Sequence, residues 1–254
     1  MGTSPSTTLI IPGKTRPYIM AHRGSLIECP ENTLAAFRRA LADGADILET
    51  DLHLTADGEF VCIHDATVDR TTSGSGPVGA LTLAQIKRLS ASYGRAGFEV
   101  ERVPTLREVA ALLPEGVTLA LELKIDRFLD PDVCRRLVAE LDECGIRGQA
   151  VVLSFSLNRL RAVQNVAPDI PTGLITLTNP TPAPPVALLG PLWPLLLLNP
   201  FYVRQAHRQG KVVCPLDVQS ERRAWLYRRL GCDALMSNDP GAVARALGRT
   251  PPTT

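Results

Sequence analysis

The sequence has almost no excess of charge of either sign. Lys and Arg together number 27 against 26 Asp and Glu, which gives a formal net charge of +1. A nucleic-acid-binding protein needs a strongly basic face, so this balance argues against nucleic acid as a partner. With 45% hydrophobic and 21% charged residues, the 254-residue chain has the composition of a globular protein, which excludes a disordered chain, a collagen and a disulfide-rich miniprotein.

Membrane-spanning and secretory segments are also missing from the sequence. Residues 1–14 show no basic stretch followed by an apolar one, so no secretory signal is visible. No charged residue occurs from Ile170 to Val203, and Val186–Leu198 is strongly apolar, but Pro191 and Pro194 interrupt it. An interrupted run of this length does not span a bilayer. We interpret it as a buried strand between Pro-rich loops, with contact to a membrane surface as the alternative.

No C-x-x-C pair and no metal-like spacing occurs among the cysteines. The six cysteines are scattered along the chain at Cys29, Cys62, Cys134, Cys144, Cys214 and Cys232. Such scattered cysteines favour reduced thiols over a disulfide framework. We therefore predict a cytoplasmic protein.

Short apolar runs alternate with longer helical patterns along the chain. The predicted strands are Tyr18–Ala21, Asp46–Asp51, Phe60–His64, Val117–Lys124, Ala150–Ser154, Thr172–Thr176, Leu195–Asn199, Val212–Leu216 and Asp233–Ser237. Most of them are rich in Val, Ile and Leu without polar alternation, which is typical of parallel strands covered on both faces. The predicted helices are Thr33–Asp43, Thr105–Leu113, Asp132–Cys144, Leu157–Val166 and Glu221–Leu230. Repeated strand–helix units favour a parallel α/β sheet.

The nine strand-like runs reduce to eight parallel strands because one run closes a hairpin. Asp57-Gly58 stands between two of the runs, and an Asp-Gly pair in that position is a strong hairpin signal. Phe60–His64 is therefore predicted to return antiparallel to the second strand, and the remaining eight strands fit a single (β/α)₈ barrel, the TIM-barrel fold. The predicted boundaries are an N-terminal segment 1–16, a barrel 17–249 with an insertion at about 65–102 over its C-terminal mouth, and a tail 250–254.

Polar side chains follow the first three parallel strands where each strand ends, which is where function is expected in a barrel. These residues are His22, Arg23, Glu49, Asp51, His64, Asp65, Glu122 and Lys124. Because alternate residues of a strand share a face, Glu49 lies on the same side as Asp51, and Glu122 on the same side as Lys124. The three carboxylates of Glu49, Asp51 and Glu122 are therefore expected to converge on one mouth with the two histidines, Arg23 and Lys124.

Three carboxylates in one pocket repel one another unless their pKa values rise or they hold a cation. Oxygen ligands without Cys favour a hard ion, Mg²⁺ or Ca²⁺. The guanidinium fork of Arg23 and the ammonium group of Lys124 suit a phosphate group beside that ion. Two histidines supply a base and an acid that both work near neutral pH. A lone histidine or a single Glu-x-Asp pair is a weak signal, so the functional interpretation depends on the joint arrangement of these residues at matching strand ends. His53 and His207 have no such neighbours at a strand end and are interpreted as structural or exposed.

The same residues resemble the glycerophosphodiester phosphodiesterase family, within the phospholipase C-like phosphodiesterase barrels. His22-Arg23-Gly24 is followed after five residues by Pro30-Glu31-Asn32-Thr33, which is similar to the opening motif of that family. The similarity continues through Glu49-x-Asp51, Asp57-Gly58, His64-Asp65, Arg70-Thr71-Thr72 with Gly74 and Gly76, Val103-Pro104-Thr105-Leu106, Glu122-Leu123-Lys124, Ser154-Phe155 and Asn238-Asp239-Pro240.

The resemblance implies a TIM barrel that hydrolyses glycerophosphodiesters to glycerol 3-phosphate and an alcohol. It further implies one divalent cation held by Glu49, Asp51 and Glu122, catalysis by His22 and His64, and phosphate contacts from Arg23 and Lys124. By analogy with related barrels, His22 is expected as the base and His64 as the acid. The nucleophile is either the glycerol 2-hydroxyl or water. Asn32 is expected to cap the helix that follows it, and Glu31 and Asn32 are expected to shape the site indirectly.

One stretch departs from the family pattern. After the penultimate strand the family usually has Trp-Thr-x-Asn, whereas this chain has Leu216, Asp217, Val218 and Gln219. Asp217 is expected to place an additional carboxylate near the mouth and to disfavour anionic head groups.

Three alternatives stay open: a lysophospholipase D acting on lysolipids, a cyclising phosphodiesterase, and a non-catalytic phosphate-binding barrel. The predicted partner is a small glycerophosphodiester or a lysolipid, and the oligomeric state is left open.

Overall fold

A computed structural model describes residues 10–250 of the chain. Its strands are β1 (Tyr18–His22), β2 (Ile47–Leu54), β3 (Phe60–Cys62), β4 (Thr118–Leu123), β5 (Ala150–Ser154), β6 (Thr172–Thr176), β7 (Leu188–Pro191), β8 (Val212–Val213) and β9 (Ala234–Ser237). Its α-helices are α1 (Leu34–Ala42), α2 (Leu83–Ile86), α3 (Leu106–Ala110), α4 (Pro131–Glu143), α5 (Leu157–Val166), α6 (Leu195–Leu198), α7 (Tyr202–His207), α8 (Ala224–Leu230) and α9 (Pro240–Ala246). Residues 1–9 and 251–254, which include most of the predicted N-terminal segment and tail, lie outside the described residues.

Eight strands form one parallel sheet in the order β8-β7-β6-β5-β4-β2-β1-β9. The sheet is a nearly closed barrel, and a 2.8 Å backbone hydrogen bond from Asp233 N to Val213 O crosses the seam between its two end strands. β3 pairs antiparallel with β2, with Leu54 opposite Phe60. The predicted (β/α)₈ barrel and its hairpin are therefore confirmed.

Alternation along each strand divides the apolar core into an inner and an outer layer. In β1, Tyr18 and Met20 belong to the cluster inside the barrel, while Ile19 and Ala21 pack between the sheet and the helices. Since every second residue faces inward, His22 is the next inward position at the carboxyl end of β1. The same alternation applies to the other strands, so the inward side chains at their carboxyl ends meet at the mouth.

The prediction of a strand at Leu195–Asn199 is wrong. Leu195–Leu198 is a short helix, α6, and the sixth parallel strand is Leu188–Pro191. An apolar run of this length does not distinguish a buried strand from a helix by its periodicity. The two prolines decide the outcome here, because Pro191 ends β7 and Pro194, with φ −63° and ψ −21°, already has helical geometry before α6.

The seventh parallel strand, β8, is shorter than the predicted Val212–Leu216. It contains Val212 and Val213 alone, and Pro215 follows closely. Since proline has no N–H to donate to the ladder, regular pairing ends before it. Leu216 returns to Leu192 through an isolated bridge, which keeps the chain beyond Pro215 at the barrel mouth.

The segment 65–102 is mostly irregular and packs on the β2–β3 hairpin. It contains a 3₁₀ turn at Val78–Ala80 and the short helix α2. A small apolar cluster joins it to the hairpin through Val61, Ile63, Val68, Val78, Ile86, Ala91 and Val103. Arg95 donates from its guanidinium group to Leu26 O at 2.9 Å and Ile27 O at 2.8 Å, so the segment is tied to the loop that follows β1. Among residues 10–250, no helix is long and apolar enough to cross a bilayer.

Candidate active site

Three buried carboxylates lie together at the mouth of the barrel. Glu49 and Asp51 come from β2, and Glu122 comes from β4, where the strand register places it beside Asp51. One oxygen of each carboxylate lies within 4.8 Å of the others. All three side chains belong to residues that are at least nine-tenths buried. The structure thus brings together the three residues that the sequence predicts as cation ligands.

Electrostatics make this cluster unfavourable without an added positive charge. Burial, together with the neighbouring carboxylates of Asp51 and Glu122, raises the pKa of Glu49 well above its usual value. Burial also raises the pKa of Glu122, although Lys124 partly offsets this. Burial opposes ionisation of Asp51 as well, but Lys124 and Arg23 outweigh it and lower the pKa of that carboxyl. The donor set therefore fits a hard divalent cation, which would allow all three groups to ionise.

Two cationic side chains contact the carboxylates directly. Lys124 Nζ lies 2.8 Å from Glu122 Oε1 and 3.0 Å from Asp51 Oδ1. Arg23 Nε lies 3.2 Å from Asp51 Oδ2, and its Nη1 lies 3.1 Å from Glu31 Oε1. Asp51 Oδ1, although beside Lys124, accepts no well-directed hydrogen bond and is buried. An oxygen in that state is available as a ligand.

Asn32 positions Asp51 and does not cap the following helix, so that expectation is wrong. Its amide Nδ2 donates to Asp51 Oδ2 at 2.8 Å, and its Oδ1 accepts from Thr50 Oγ1 at 2.8 Å. The cap of α1 is Thr33, whose hydroxyl accepts from Ala36 N. Asn32 has a positive φ of 53°, as has Arg23 at 55°, and such left-handed backbone in non-glycine residues is concentrated at functional sites.

His22 is held in one tautomer by a residue near the other end of the chain. Its Nδ1 lies 2.7 Å from Asn238 Oδ1. Because an amide oxygen accepts hydrogen bonds, Nδ1 carries the hydrogen and Nε2 is left with a lone pair. Burial and the neighbouring charge of Arg23 lower the pKa of His22 to about 4, so the ring is neutral at neutral pH.

His64 has a different partner, the carboxylate of the next residue. His64 Nδ1 lies 2.7 Å from Asp65 Oδ1, and Arg70 Nε donates to Asp65 Oδ2 at 2.6 Å. The hydrogen bond from Arg70 is the main reason that the pKa of Asp65 is far below its usual value. Asp65 is therefore ionised, and its carboxylate oxygen orients the His64 ring through Nδ1. His64 also lowers the pKa of Asp51 by its charge, so it lies within electrostatic range of the carboxylates.

Arg70 and Asn238 were not assigned a role from the sequence, and Glu31 was expected to act only indirectly. Arg70 donates to both oxygens of Glu31 at 2.8 and 2.7 Å, so Glu31 joins Arg70 to Arg23. Asn238 was visible in the closing motif, and it is the next inward position after Met236 of β9; the alternation of that strand is the signal that would have found it. His53, interpreted as structural or exposed, is buried, and its Nε2 lies 3.2 Å from His64 O.

Asp217 follows Leu216 at the barrel mouth, but its carboxylate is buried and paired. It is 7% exposed, and its Oδ2 accepts from Arg223 Nη1 at 2.8 Å and from the Tyr227 hydroxyl at 2.5 Å. The Arg223 guanidinium lies 4.1 Å from the centre of the Trp193 ring. Neighbouring Leu216 packs against the inner cluster instead. Since its charge is matched by Arg223, Asp217 gives no reason to expect discrimination against anionic head groups.

Comparisons with known proteins find similarity to one family along almost the whole chain. The model of the glycerophosphoryl diester phosphodiesterase family matches residues 22–242. A glycerophosphodiester phosphodiesterase of Caldanaerobacter subterraneus is 35% identical over 241 residues, which cover 89% of this chain and 95% of that protein. A probable glycerophosphodiester phosphodiesterase 1 of Mycobacterium tuberculosis is 31% identical over 94% of this chain and 96% of its own length. Among solved structures, an Oleispira antarctica phosphodiesterase in complex with the product sn-glycerol-3-phosphate has a TM-score of 0.82 and 28% identity, covering 91% of this chain and 97% of that one.

Proposed function

The chain belongs to the glycerophosphoryl diester phosphodiesterase family and is an enzyme, and we propose that it hydrolyses glycerophosphodiesters to glycerol 3-phosphate and an alcohol with a divalent cation and two histidines. The observation that carries this proposal is a pair of histidines with unlike partners, both within electrostatic range of Asp51 in one buried carboxylate cluster. The product named in the Oleispira antarctica structure supports the same substrate class.

Glu49, Asp51 and Glu122 would hold the cation, with Mg²⁺ and Ca²⁺ both suited to an all-oxygen ligand set. When bound, the cation supplies positive charge that polarises a phosphate oxygen. Arg23 contacts the carboxylate of Asp51, and Lys124 contacts the carboxylates of Asp51 and Glu122. They orient the phosphate and neutralise charge that develops on its oxygens in the transition state.

His22 acts as the general base in this proposal. Its Nε2 carries a lone pair because Nδ1–H is committed to Asn238, and a ring that is neutral at neutral pH is ready to accept a proton. The proton comes from the nucleophile, which is either the glycerol 2-hydroxyl or water. The first nucleophile gives a cyclic phosphate that is hydrolysed afterwards, and the second gives glycerol 3-phosphate directly.

His64 acts as the general acid. The ionised carboxylate of Asp65 accepts from its Nδ1–H and orients the ring, and in this proposal Nε2 delivers a proton to the leaving alkoxide. The partners separate the two roles: the amide oxygen of Asn238 fixes Nε2 of His22 as a proton acceptor, and the carboxylate of Asp65 orients the ring of His64. A cytoplasmic location is part of the same proposal, supported by the six cysteines, all of which are free thiols.

The test is release of glycerol 3-phosphate from glycerophosphocholine by the purified protein with Mg²⁺ or Ca²⁺. His22→Ala and His64→Ala should each lower kcat by about 10²–10⁴-fold, the usual contribution of a general acid or base. His207→Ala is the matched control, because His207 contacts Asp233 away from the cluster. Near-wild-type turnover in either of the first two variants would contradict the catalytic roles, and activity that survives removal of divalent cations by a chelator would contradict the metal requirement.

A further inference from the structure

Four large apolar side chains are exposed on the two loops that follow the neighbouring strands β6 and β7. We call them the apolar rim: Leu177, Leu197, Leu198 and Phe201, which are 52%, 55%, 76% and 62% exposed. Leu177 follows β6, and the other three follow β7 in or just after α6. Isolated exposed leucines are ordinary, but a cluster of large apolar side chains on one rim marks an interaction surface.

The backbone that carries the apolar rim is firmly held. Asn199 Nδ2 donates to Pro180 O at 2.9 Å, which joins the loop after β6 to the loop after β7, and Asn199 Oδ1 accepts from Phe201 N at 3.1 Å. Leu195 and Leu196 of α6 are buried, so Leu197 and Leu198 are the face of that helix that has nothing packed on it. The backbone under the apolar rim is thus held by hydrogen bonds and by the buried side of α6.

The apolar rim faces the same direction as the carboxylate cluster. Both of its loops follow the carboxyl ends of parallel strands, β6 at Thr176 and β7 at Pro191. His22 stands at the carboxyl end of β1, and all these strands run parallel in one barrel. Whatever covers the apolar rim therefore also faces the mouth that holds the proposed phosphate site.

The segment that carries the apolar rim has no acidic side chain, since residues 170–203 contain no charged side chain at all. Arg204 of α7 is the next cation along the chain, and Arg222 precedes Arg223, whose guanidinium lies 4.1 Å from the centre of the Trp193 ring in the loop before α6. Arg204 and Arg222 are both exposed, and neither has an acidic partner within 4 Å among residues 10–250. Apolar side chains bordered by unmatched arginines fit a lipid surface with anionic head groups.

We propose that the apolar rim docks the enzyme on an anionic lipid bilayer, with the barrel mouth turned toward the membrane. The size of the surface argues for a bilayer and against a second copy of the chain. Four side chains of roughly 150–200 Å² each, exposed by about half to three-quarters, offer on the order of 400 Å², whereas a stable dimer buries about 800 Å² per partner. Leucine and phenylalanine side chains that enter the interface a few ångströms deep need no such area.

The test is co-sedimentation of the full chain with vesicles of phosphatidylcholine, with and without phosphatidylglycerol. The wild type should bind the phosphatidylglycerol vesicles better, and Leu197→Ser with Leu198→Ser should weaken that binding by at least about tenfold, since two apolar side chains would no longer enter the lipid interface. Ile10→Ser is the matched control, because Ile10 is 68% exposed beside Gly148 and Pro171, at the opposite end of the barrel. Arg204→Gln with Arg222→Gln should remove the preference for phosphatidylglycerol.

Docking and catalysis are separable in this design. The leucine variants should keep wild-type turnover of soluble glycerophosphocholine and an unchanged Tm, which shows that they fold. The docking proposal is overturned if the wild type binds neither kind of vesicle, or if the leucine variants bind as the wild type does. It is also overturned if sedimentation velocity shows a dimer that the leucine substitutions dissociate, because the rim would then be an interface between copies. An inactive wild type that still binds vesicles would contradict the proposed hydrolysis alone.

Discussion

At the scale of single residues, the site depends on side chains that hold other side chains. Asn32 holds Asp51, Asn238 holds His22 and Asp65 holds His64. None of these partners is required for a carboxylate cluster to exist, yet each fixes an orientation or a protonation state. Partners of this kind often change metal affinity or activity by 10–100-fold.

Asn32→Ala should therefore weaken binding of the divalent cation without unfolding the protein. The substitution removes the amide that donates to Asp51 Oδ2, and the expected loss in affinity is about 10–100-fold. Isothermal titration with Mg²⁺ or Ca²⁺ measures it directly, without reference to turnover. Asn158→Ala, at an exposed position of α5, is the control. Equal affinities in Asn32→Ala and the wild type would show that Asn32 has no part in holding the ligand.

The protonation of His22 has a consequence for stability. Its pKa is lowered from 6.5 to about 4 in the folded protein, so between these values the unfolded chain binds the proton more readily. The free energy of unfolding should then fall as the pH decreases from about 6.5 to about 4, by about 3 kcal/mol from this group. Above pH 6.5 the ring is neutral in both states and the contribution is constant.

Urea unfolding of the metal-free protein at about pH 7 and about pH 4.5 tests this. His22→Gln cannot take up the proton, so its unfolding free energy should depend less steeply on pH across this window than that of the wild type. The same slope in both proteins would mean that His22 is not buried in its neutral form.

At the scale of elements, the alternation of side chains along each strand predicts most of the residues that face the site. It predicts that Glu49 and Asp51 share a face and places His22 at an inward position, and the structure agrees with both. It fails at Leu195–Leu198, where four leucines in succession carry no period and the prolines alone decide for a helix. Alternation also could not predict that Asn32 holds Asp51. Asn32 lies in a loop with a positive φ, and its partner is 19 residues away in the sequence, so no local sequence pattern marks the contact.

The approach of α1 to the loop after β1 depends on a missing side chain at Gly24. A Cβ there would stand 2.6 Å from Ala36 Cβ, and the φ of Gly24 is +88°. Gly145 has a comparable φ of +71°, but nothing lies within 4 Å of its Cβ position. Gly145→Ala should therefore cost about 1–2 kcal/mol for the left-handed backbone alone, whereas Gly24→Ala should cost about 1–3 kcal/mol more through overpacking.

Thermal or urea unfolding of the two glycine variants measures that difference. A Gly24→Ala protein as stable as Gly145→Ala would show that α1 moves away from the loop without cost. Because Gly24 directly follows Arg23, the same variant should also lose activity if the close packing of α1 positions that arginine.

At the scale of the whole molecule, a single buried carboxylate joins the two ends of the sheet. Asp233 Oδ2 accepts from Val213 N at 2.7 Å and lies 2.8 Å from His207 Nε2, while Oδ1 accepts from Arg16 Nη1 at 2.5 Å. It thereby connects β8, α7 and the chain before β1 across the seam of the barrel. Regular strand pairing does not extend across that seam, where Asp233 N donates to Val213 O. The Asp233 side chain adds a second hydrogen bond to β8 at the same point.

Asp233→Ala should destabilise the barrel by about 1–3 kcal/mol, because it leaves the buried Val213 N–H without its acceptor. Asp169→Ala, which removes a largely exposed carboxylate paired with Arg147, should cost no more than about 1 kcal/mol. Urea unfolding of both variants gives the comparison. A cost below that of Asp169→Ala would mean that the seam is held by the packing of α7 and α8 alone.

The contact between His22 and Asn238 links the beginning of the barrel to its end. During synthesis the ribosome releases the carboxylates of β2 and β4 long before Asn238, which lies beyond the last strand. A nascent chain therefore exposes the ion-binding groups early, while the lone pair of His22 stays unaligned until translation is almost complete. Premature termination after residue 122 and before residue 238 would accordingly leave a polypeptide that contains all three carboxylates but lacks the amide that orients the base.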